Sequence, residues 1–499
     1  MPHQARLTVL SSVPTRPEKW PLASTVSDRE RGPMPAGSPS AVLHRTTELL
    51  GEARVPATGV GESTALALMS DLLEDNGIDL SHPFAAAHLQ PPVLQVAVDA
   101  DMMASASNAS MDTYDSGPAT LAIEKWVVRA LADLAGFGPQ ADGVLTPGGS
   151  ISNLLAVLIA RDSAAAATGI DVRRNGLQGL HRPVVFCSEL AHFSVQRACA
   201  ALGLGEDAAI TIPSDDHFRM RTDVLEQELR HQGRTPIAVI ATAGTTDYGS
   251  IDPIAEIAEL GRRYGAWVHV DAAYGFGALF SDRLAPLLAD LPAADSVTLD
   301  LHKIGWQPAA TSVLLVADRS RFASFDRSVD YLNPADDIDS GLDGLLGRSL
   351  QTTRRPDAVK VATTLTAYGR SGLGTMLDTC HELAHAAAAR VVADSSLELL
   401  APVTLTTVLF RVAGQDLDPA DLDAVQGEVR RRLLTSGRAL IGRTKVPARG
   451  NRPAVVALKL TLLNPNATPT DIEGLLDLVV ATGREVLAGR RETNGEGAA

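Results

Sequence analysis

Lysine is scarce in this chain: it occurs only as Lys19, Lys125, Lys303, Lys360, Lys445 and Lys459, and arginine supplies the rest of the positive charge. Cysteine is scarcer. Cys187, Cys199 and Cys380 are scattered and odd in number, which gives neither a disulfide framework nor a metal-ligand spacing. No metal is therefore expected, and a reducing cytoplasm is the expected compartment. Net positive charge is absent, the formal balance being −15 at pH 7. That argues against duplex nucleic acid or an anionic membrane surface as partner, because both select basic patches. It leaves room for a local positive pocket that takes a phosphate. No apolar run is long enough to span a bilayer. The opening "MPHQARLTVLSSVPTRPEKWPLAS" has no continuous apolar core behind a basic end, so a signal peptide is not expected.

What is present is an ordinary soluble composition, 45% hydrophobic and 21% charged over 499 residues. That length suits two or three structural units, each with its own core. Residues 1–40, rich in Pro, Ser and Arg, and the polar tail 488–499 read as flexible ends. From Ser40 to about Leu89 leucines recur at helix-like spacings, which makes 41–115 a helical segment. "PATLAIEKWVVRALADLAGFG" is a long amphipathic helix closed by glycine. Strands and helices then alternate: "PVVFCSEL", "AAITIPSD", "PIAVIATAG" and "AWVHVDAA" read as strands separated by helical stretches. Near-continuous Val/Ile/Ala runs joined by helices imply a parallel sheet covered on both faces, assigned to 116–363. From 364 to 487 helices mix with a few strands, a smaller α+β domain. There "TPTDIEGLLDLV" starts a helix with Thr468 as cap, Pro469 first and Asp471 in the first turn.

Against this background Lys303 stands out. It sits in "SVTLDLHKIGWQPAATSVLLVAD", in a short turn between two strand-like runs, with His302 before it and Gly305 and Trp306 after it. A lysine in a turn is ordinarily solvated. Lys125, Lys360 and Lys459 fall instead on helices or within a strand, away from the strand exits where open α/β sheets bind ligands.

Four further features belong to strand ends or adjoining turns. "TPGGSISN" places Gly148, Gly149 and Ser150 before a helix, where backbone amides and the helix dipole hold a phosphate. It matches neither nucleotide-binding glycine pattern, and alone it is more often a plain turn. Asp271 follows "WVHV", and a carboxylate at the end of a buried strand must be paired or bonded. It is either a capping residue or an anion that keeps a heteroaromatic ring nitrogen protonated. Ala272 and Ala273 behind it are small enough to admit a flat ring. His192 in "SELAHFS" is placed to stack on such a ring or shuttle a proton, although a lone histidine is usually structural. Thr245 and Thr246 offer hydroxyls in "TAGTTDYGSIDP". Together these parts make a site for pyridoxal 5′-phosphate: Lys303 bonds the aldehyde, Asp271 partners the ring nitrogen, and the glycine turn holds the phosphate.

With those residues assembled, the chain resembles the group II pyridoxal-phosphate-dependent amino-acid decarboxylases, which have the aspartate-aminotransferase fold (fold type I). The resemblance runs from about Gln95 to Leu487 and rests on "SMDTYDSGPATLAIE", "TPGGSISNLLAVLIAR", "SELAHFSVQRA", "TAGTTDYGSIDPI", "HVDAAYG", "DLHKIGWQP" and "SLQTTRRPDAVK", in one order. It implies Lys303 as the cofactor-bearing lysine, Asp271 as ring-nitrogen partner, Ala273 beneath the ring and His192 stacked on it. It implies Gly149, Ser150 and His302 as phosphate contacts and Thr246 near a cofactor oxygen. It also implies α-decarboxylation of an amino acid by a homodimer with interface active sites, an N-terminal segment embracing the partner, and a mobile loop between Ser328 and Leu350. "NASMDTYDSGP" and "SLQTTRRPDA" resemble bacterial members acting on 2,4-diaminobutyrate or lysine. One departure concerns the loop: many members carry a tyrosine after a "DSGL"-like turn, where this chain has Leu345 and Leu346. His192 or a bound water is then the expected proton donor, with Tyr331 the alternative. The competing readings are an aminotransferase or carbon–carbon lyase of the same fold, or a catalytically silent relative.

Overall fold

The computed structural model describes residues 18–24, 31–326, 329, 331–414, 417–449 and 453–496. Helices α1 (Pro39–Leu50), α2 (Glu62–Asn76) and α3 (Gln95–Ser107) precede the long α4 (Pro118–Leu134). The helical pattern expected to about Leu89 stops at Gly77, and "SHPF" carries the chain on as turns. The next elements are β1 (Asp142–Thr146), α5 (Gly149–Ala167), β2 (Pro183–Ser188), α6 (Ser194–Ala201), β3 (Ala209–Ile212) and α7 (Thr222–Leu229). After them come β4 (Thr235–Thr242), α8 (Ile254–Tyr264), β5 (Trp267–Asp271), β6 (Ser296–Asp300) and β7 (Ser312–Val316).

These seven strands form one sheet in the order β1-β7-β6-β5-β4-β2-β3. β6, β5, β4, β2 and β3 run parallel. β7 alone is reversed against both β6 and β1. Successive strand residues feed opposite faces, as a period of two requires. Val144, Val185, Ile240 and Leu314 pack with Leu155 and Ile159 of α5. Their neighbours Leu145, Phe186, Val239 and Val313 join the core that holds Val127 and Leu131 of α4. Burial on both faces explains why these strands read as unbroken apolar runs. The sheet therefore lines up the ends of β1, β2, β4, β5 and β6 along one edge.

A helix of 36 residues, α9 (Ala358–Ala393), leads into the second unit and breaks regular helical geometry at Gly369, where φ is +59°. The division expected between 363 and 364 thus falls inside a single helix. Strands β8 (Leu397–Leu399), β9 (Thr407–Val412), β10 (Leu440–Val446) and β11 (Val455–Thr461) pack against α10 (Pro419–Thr435) and α11 (Pro469–Glu496) around a separate apolar core. Thr468 caps α11 as the sequence predicts, accepting from Asp471 N at 3.2 Å.

Both expected tails need correction. Among residues 1–40, positions 1–17 and 25–30 lie outside the described residues, but Trp20 is buried, and its main-chain N–H donates to Asn466 Oδ1 at 2.7 Å. Leu22–Ala23 pairs with Val93–Leu94. At the other end, the stretch from 488 continues α11 as far as Glu496. In the loop expected to move, Ser328 is outside the described residues, and the main chain of Leu345 is tied to Met111, N to O, at 2.9 Å.

Candidate active site

The glycine turn joins the end of β1 to the start of α5. Gly148 holds φ at +108°, which a side chain would strain, and α5 starts directly behind it. A Cβ on Gly149 would lie 2.7 Å from Asp300 Oδ1, so the turn stays free of side chains. The exit of β6 closes the opposite side. Lys303 Nζ stands 2.9 Å from Asp300 Oδ2, with His302 Nε2 3.8 Å from the same oxygen. Trp306, three residues on, takes a left-handed φ of +53° and is wholly buried. Its indole N–H donates to Leu463 O at 2.9 Å, which ties the lysine turn to the smaller unit.

Asp271 ends β5 almost fully buried. Its Oδ1 accepts from Ala273 N at 3.1 Å and its Oδ2 from Asn153 Nδ2 at 2.7 Å. His192 is half-buried just before α6, and its Nδ1 lies 2.9 Å from Ser194 Oγ. Burial is the main reason its proton affinity falls below the usual imidazole range. The anion at Asp271 opposes that shift, and the cation at Lys303 adds to it. Behind Asp271, His269 is driven down to about 4 by complete burial, again with Asp271 opposing.

A cavity of about 270 Å³ is lined by the eight residues assigned to the cofactor, Gly149, Ser150, His192, Thr246, Asp271, Ala273, His302 and Lys303, and by Gly148, but not by Thr245 or Ala272. Tyr331 is not among them; it is 83% exposed and borders another cleft with Leu332 and Leu350. Volume alone does not select this cavity. A cleft of about 550 Å³ lies beside Asp101, Arg355 and Lys360. Its cations are already committed, Lys360 to Asp101 and Asp357 at 3.1 and 3.0 Å, and Arg354 to the buried Glu124 at 2.8 Å.

Asn153, Ser194, His269 and Asp300 escaped the sequence reading. Two of them carried a legible signal: His269 lies two residues from Asp271 in a strand, hence on the same face, and Asp300 precedes Lys303 by three in a turn. The tie between Asn153 and Asp271 spans 118 positions and needs the fold to appear.

A family model described as the pyridoxal-dependent decarboxylase conserved domain matches residues 77–413. An L-2,4-diaminobutyrate decarboxylase of Rhizobium meliloti (strain 1021) is 40% identical over 435 residues, covering 87% of this chain and 84% of that protein. Another, from Acinetobacter baumannii, is 35% identical over 440 residues, 86% of this chain and 85% of that one. Among solved structures, the glutamate decarboxylase domain of diaminobutyrate-pyruvate transaminase and L-2,4-diaminobutyrate decarboxylase from Vibrio parahaemolyticus superposes with a TM-score of 0.80. It is 31% identical over 91% of each chain.

Proposed function

The chain belongs to the pyridoxal-dependent decarboxylase family, and from that premise we propose that it converts L-2,4-diaminobutyrate to the diamine and carbon dioxide, with lysine as second substrate, in the cavity around Lys303. It is a pyridoxal-phosphate-dependent amino-acid decarboxylase of fold type I, the reading favoured over an aminotransferase or another carbon–carbon lyase of that fold. The cavity suits the cofactor: the turn at Gly149 has no space for a side chain, and a buried carboxylate, a lysine and a helix N-terminus converge there. When bound, pyridoxal phosphate supplies an aldehyde for amines and a ring that accepts the electron pair of the broken carbon–carbon bond.

The chain's own groups divide the remaining work. Lys303 would hold the aldehyde carbon, and the Asp271 carboxylate would keep a proton on the ring nitrogen. Gly149, Ser150 and His302 would hold the phosphate, aided by the positive end of α5. Ala273 and His192 would flank the ring, with Thr246 beside a ring oxygen. His192 would deliver the proton to the α-carbon.

One observation carries the choice of substrate. Lys303 is the sole Lys or Arg among the described residues lining the cavity, alongside two carboxylates, Asp271 and Asp300. Asp271 is given to the ring nitrogen and Asp300 to Lys303, so what the lining contributes is that no other Lys or Arg among the described residues stands there to hold a second carboxylate. The similarity to diaminobutyrate decarboxylases supports the same choice. The test is an amino-acid panel scored for amine, carbon dioxide and keto acid. We expect 1,3-diaminopropane as the main product beside carbon dioxide from diaminobutyrate, cadaverine more slowly from lysine, and no keto acid. Preference for glutamate, aspartate or an aromatic amino acid would overturn the substrate.

The same reading makes the enzyme a cytoplasmic homodimer. Leu43, Leu49 and Leu50 of α1 and Leu66, Met69 and Leu73 of α2 are each at least 45% exposed, and α1 has no buried residue. Apolar helix faces left this open mark a surface for another chain. Light scattering on the eluting protein reads the mass directly.

A further inference from the structure

The amide of Asn153 is the branch point of a buried hydrogen-bond network, and the donors within it can be assigned by chemistry. An ionised carboxylate only accepts, so Asn153 Nδ2 must donate to Asp271 Oδ2, at 2.7 Å. The same nitrogen donates its second hydrogen to Ser194 Oγ at 2.9 Å. The amide oxygen therefore faces His269 Nε2, at 3.0 Å, and that nitrogen must carry a hydrogen. On the far side of the ring, Ser296 Oγ accepts from Trp267 Nε1, a pure donor, at 2.8 Å. Its own hydrogen then goes to His269 Nδ1, also at 2.8 Å. Every group in this branch is buried: Asn153, Ser194, His269 and Ser296 are each no more than 2% exposed.

The other branch reaches the substrate side. Ser194 Oγ has received a hydrogen from Asn153, so its own hydrogen points to His192 Nδ1 at 2.9 Å. Ser194 N donates to the same nitrogen at 3.3 Å. With Nδ1 accepting twice, neutral His192 carries its ring proton on Nε2.

We propose that Asn153 is a positioning residue that serves both ends of the reaction at once: through one N–H it holds Asp271 in place as an ionised acceptor, and through Ser194 it fixes His192 as the Nε2–H tautomer, ready to donate. The inference rests on the roles given to Asp271 and His192 above, but the network can be read without turnover. Replacing the amide by a carboxylate separates the branches. In Asn153→Asp the new group still accepts from His269 Nε2, but it offers Asp271 no donor and draws the Ser194 hydroxyl hydrogen away from His192.

The test uses the full-length protein with isotopically labelled histidine, free of cofactor, so that ring-nitrogen shifts report which nitrogen is protonated. His192→Gln identifies the signal, and cofactor affinity is titrated separately. In the parent we expect His192 as a single Nε2–H tautomer. Asn153→Asp should mix its tautomers and weaken cofactor binding about tenfold or more, the usual cost of leaving a buried group without its partner. Ser194→Ala should mix the tautomers but leave cofactor affinity within about twofold, since it spares Asp271. Asn153→Ala removes the same donors without adding charge and gives both readouts should the aspartate variant not fold. A His192 tautomer unchanged in these variants, or a Ser194→Ala defect in cofactor binding as large as that of Asn153→Asp, would overturn the branch model. A normal turnover in Asp271→Asn would instead overturn the role given to Asp271 while leaving the tautomer result intact.

Discussion

Lys303 Nζ and Asp300 Oδ2 lie 2.9 Å apart at the exit of β6, and both side chains line the same cavity. The two lysines nearest in kind are engaged elsewhere, Lys360 with Asp101 and Asp357, and Lys459 with Asp247 at 2.6 Å. Borohydride reduction of the holoenzyme should abolish its visible absorption band and leave one modified peptide, the one that contains Lys303. Lys303→Ala should fold, bind the cofactor without covalent attachment and lose turnover by orders of magnitude. A reduced adduct on Lys360 or Lys459 would remove Lys303 from this role.

Asp271→Asn exchanges an anion for a neutral amide of the same size, so packing at the end of β5 is kept. The lost charge no longer favours a proton on the ring nitrogen when electrons arrive there. Loss of a preorganised electrostatic partner typically raises a barrier by about 3–4 kcal/mol, each ~1.4 being tenfold. We therefore expect turnover to fall roughly 10²–10³-fold with the melting temperature little changed. Steady-state kinetics beside thermal unfolding separates the two effects, and a near-normal rate would refute the electron-sink role.

His269 makes a statement about stability. Its native proton affinity is lowered to about 4 from an ordinary 6.5, chiefly by burial. Between those values the unfolded chain binds a proton that the native ring does not, so native stability declines as pH falls through this window. The loss is at most about 1.4 kcal/mol per pH unit. Asp252 acts in the opposite sense: burial raises its carboxyl to about 6, and it favours the native state as pH falls towards 4. The comparison that isolates His269 is therefore parent against His269→Gln in denaturant titrations from pH 7 to pH 4.5. The stability advantage of the parent should shrink steadily below pH 6.5. A constant difference across that range would mean that the ring takes up its proton normally in the native state.

The alternation of apolar strands and helices made the doubly covered sheet legible before any coordinates, because parallel strands buried on both faces leave that pattern. The reversed direction of β7 did not show, since "TSVLLVAD" is equally apolar whichever way it runs. At the site, Lys303, Asp271 and the glycine turn were readable because each stands at a strand exit. Asn153 and Ser194 were not, since a buried amide on a helix carries no periodic signal and its partners are distant in sequence. Glu124 shows the limit from the other side. It neighbours the exposed Lys125 in sequence, yet it is 1% exposed and pairs with Arg354 from 230 positions away, which no local pattern reveals.

The loop tyrosine missing from this chain should show in the products. Leu345 fills the corresponding stretch and packs against Met111 and Leu121, so no phenol stands there to protonate carbon. Once carbon dioxide leaves, the α-carbon must receive a proton, or its electrons persist long enough to reduce dioxygen. Oxidation of that kind releases aldehyde, ammonia and hydrogen peroxide in place of the amine. A positioned acid contributes roughly 10²–10⁴-fold to a proton transfer, and His192, held on Nδ1 by Ser194, is the group on the cavity wall placed to serve. We expect the parent to give mainly amine with a measurable peroxide fraction in air. His192→Gln should slow amine formation and enlarge the peroxide share. Tyr331→Phe should change neither, because Tyr331 stands outside this cavity. Product partitioning in air-saturated buffer, with amine, aldehyde and peroxide counted against carbon dioxide, decides among these outcomes. Stoichiometric amine without peroxide in the parent would refute the leak, and an unchanged ratio in His192→Gln would remove His192 as the acid.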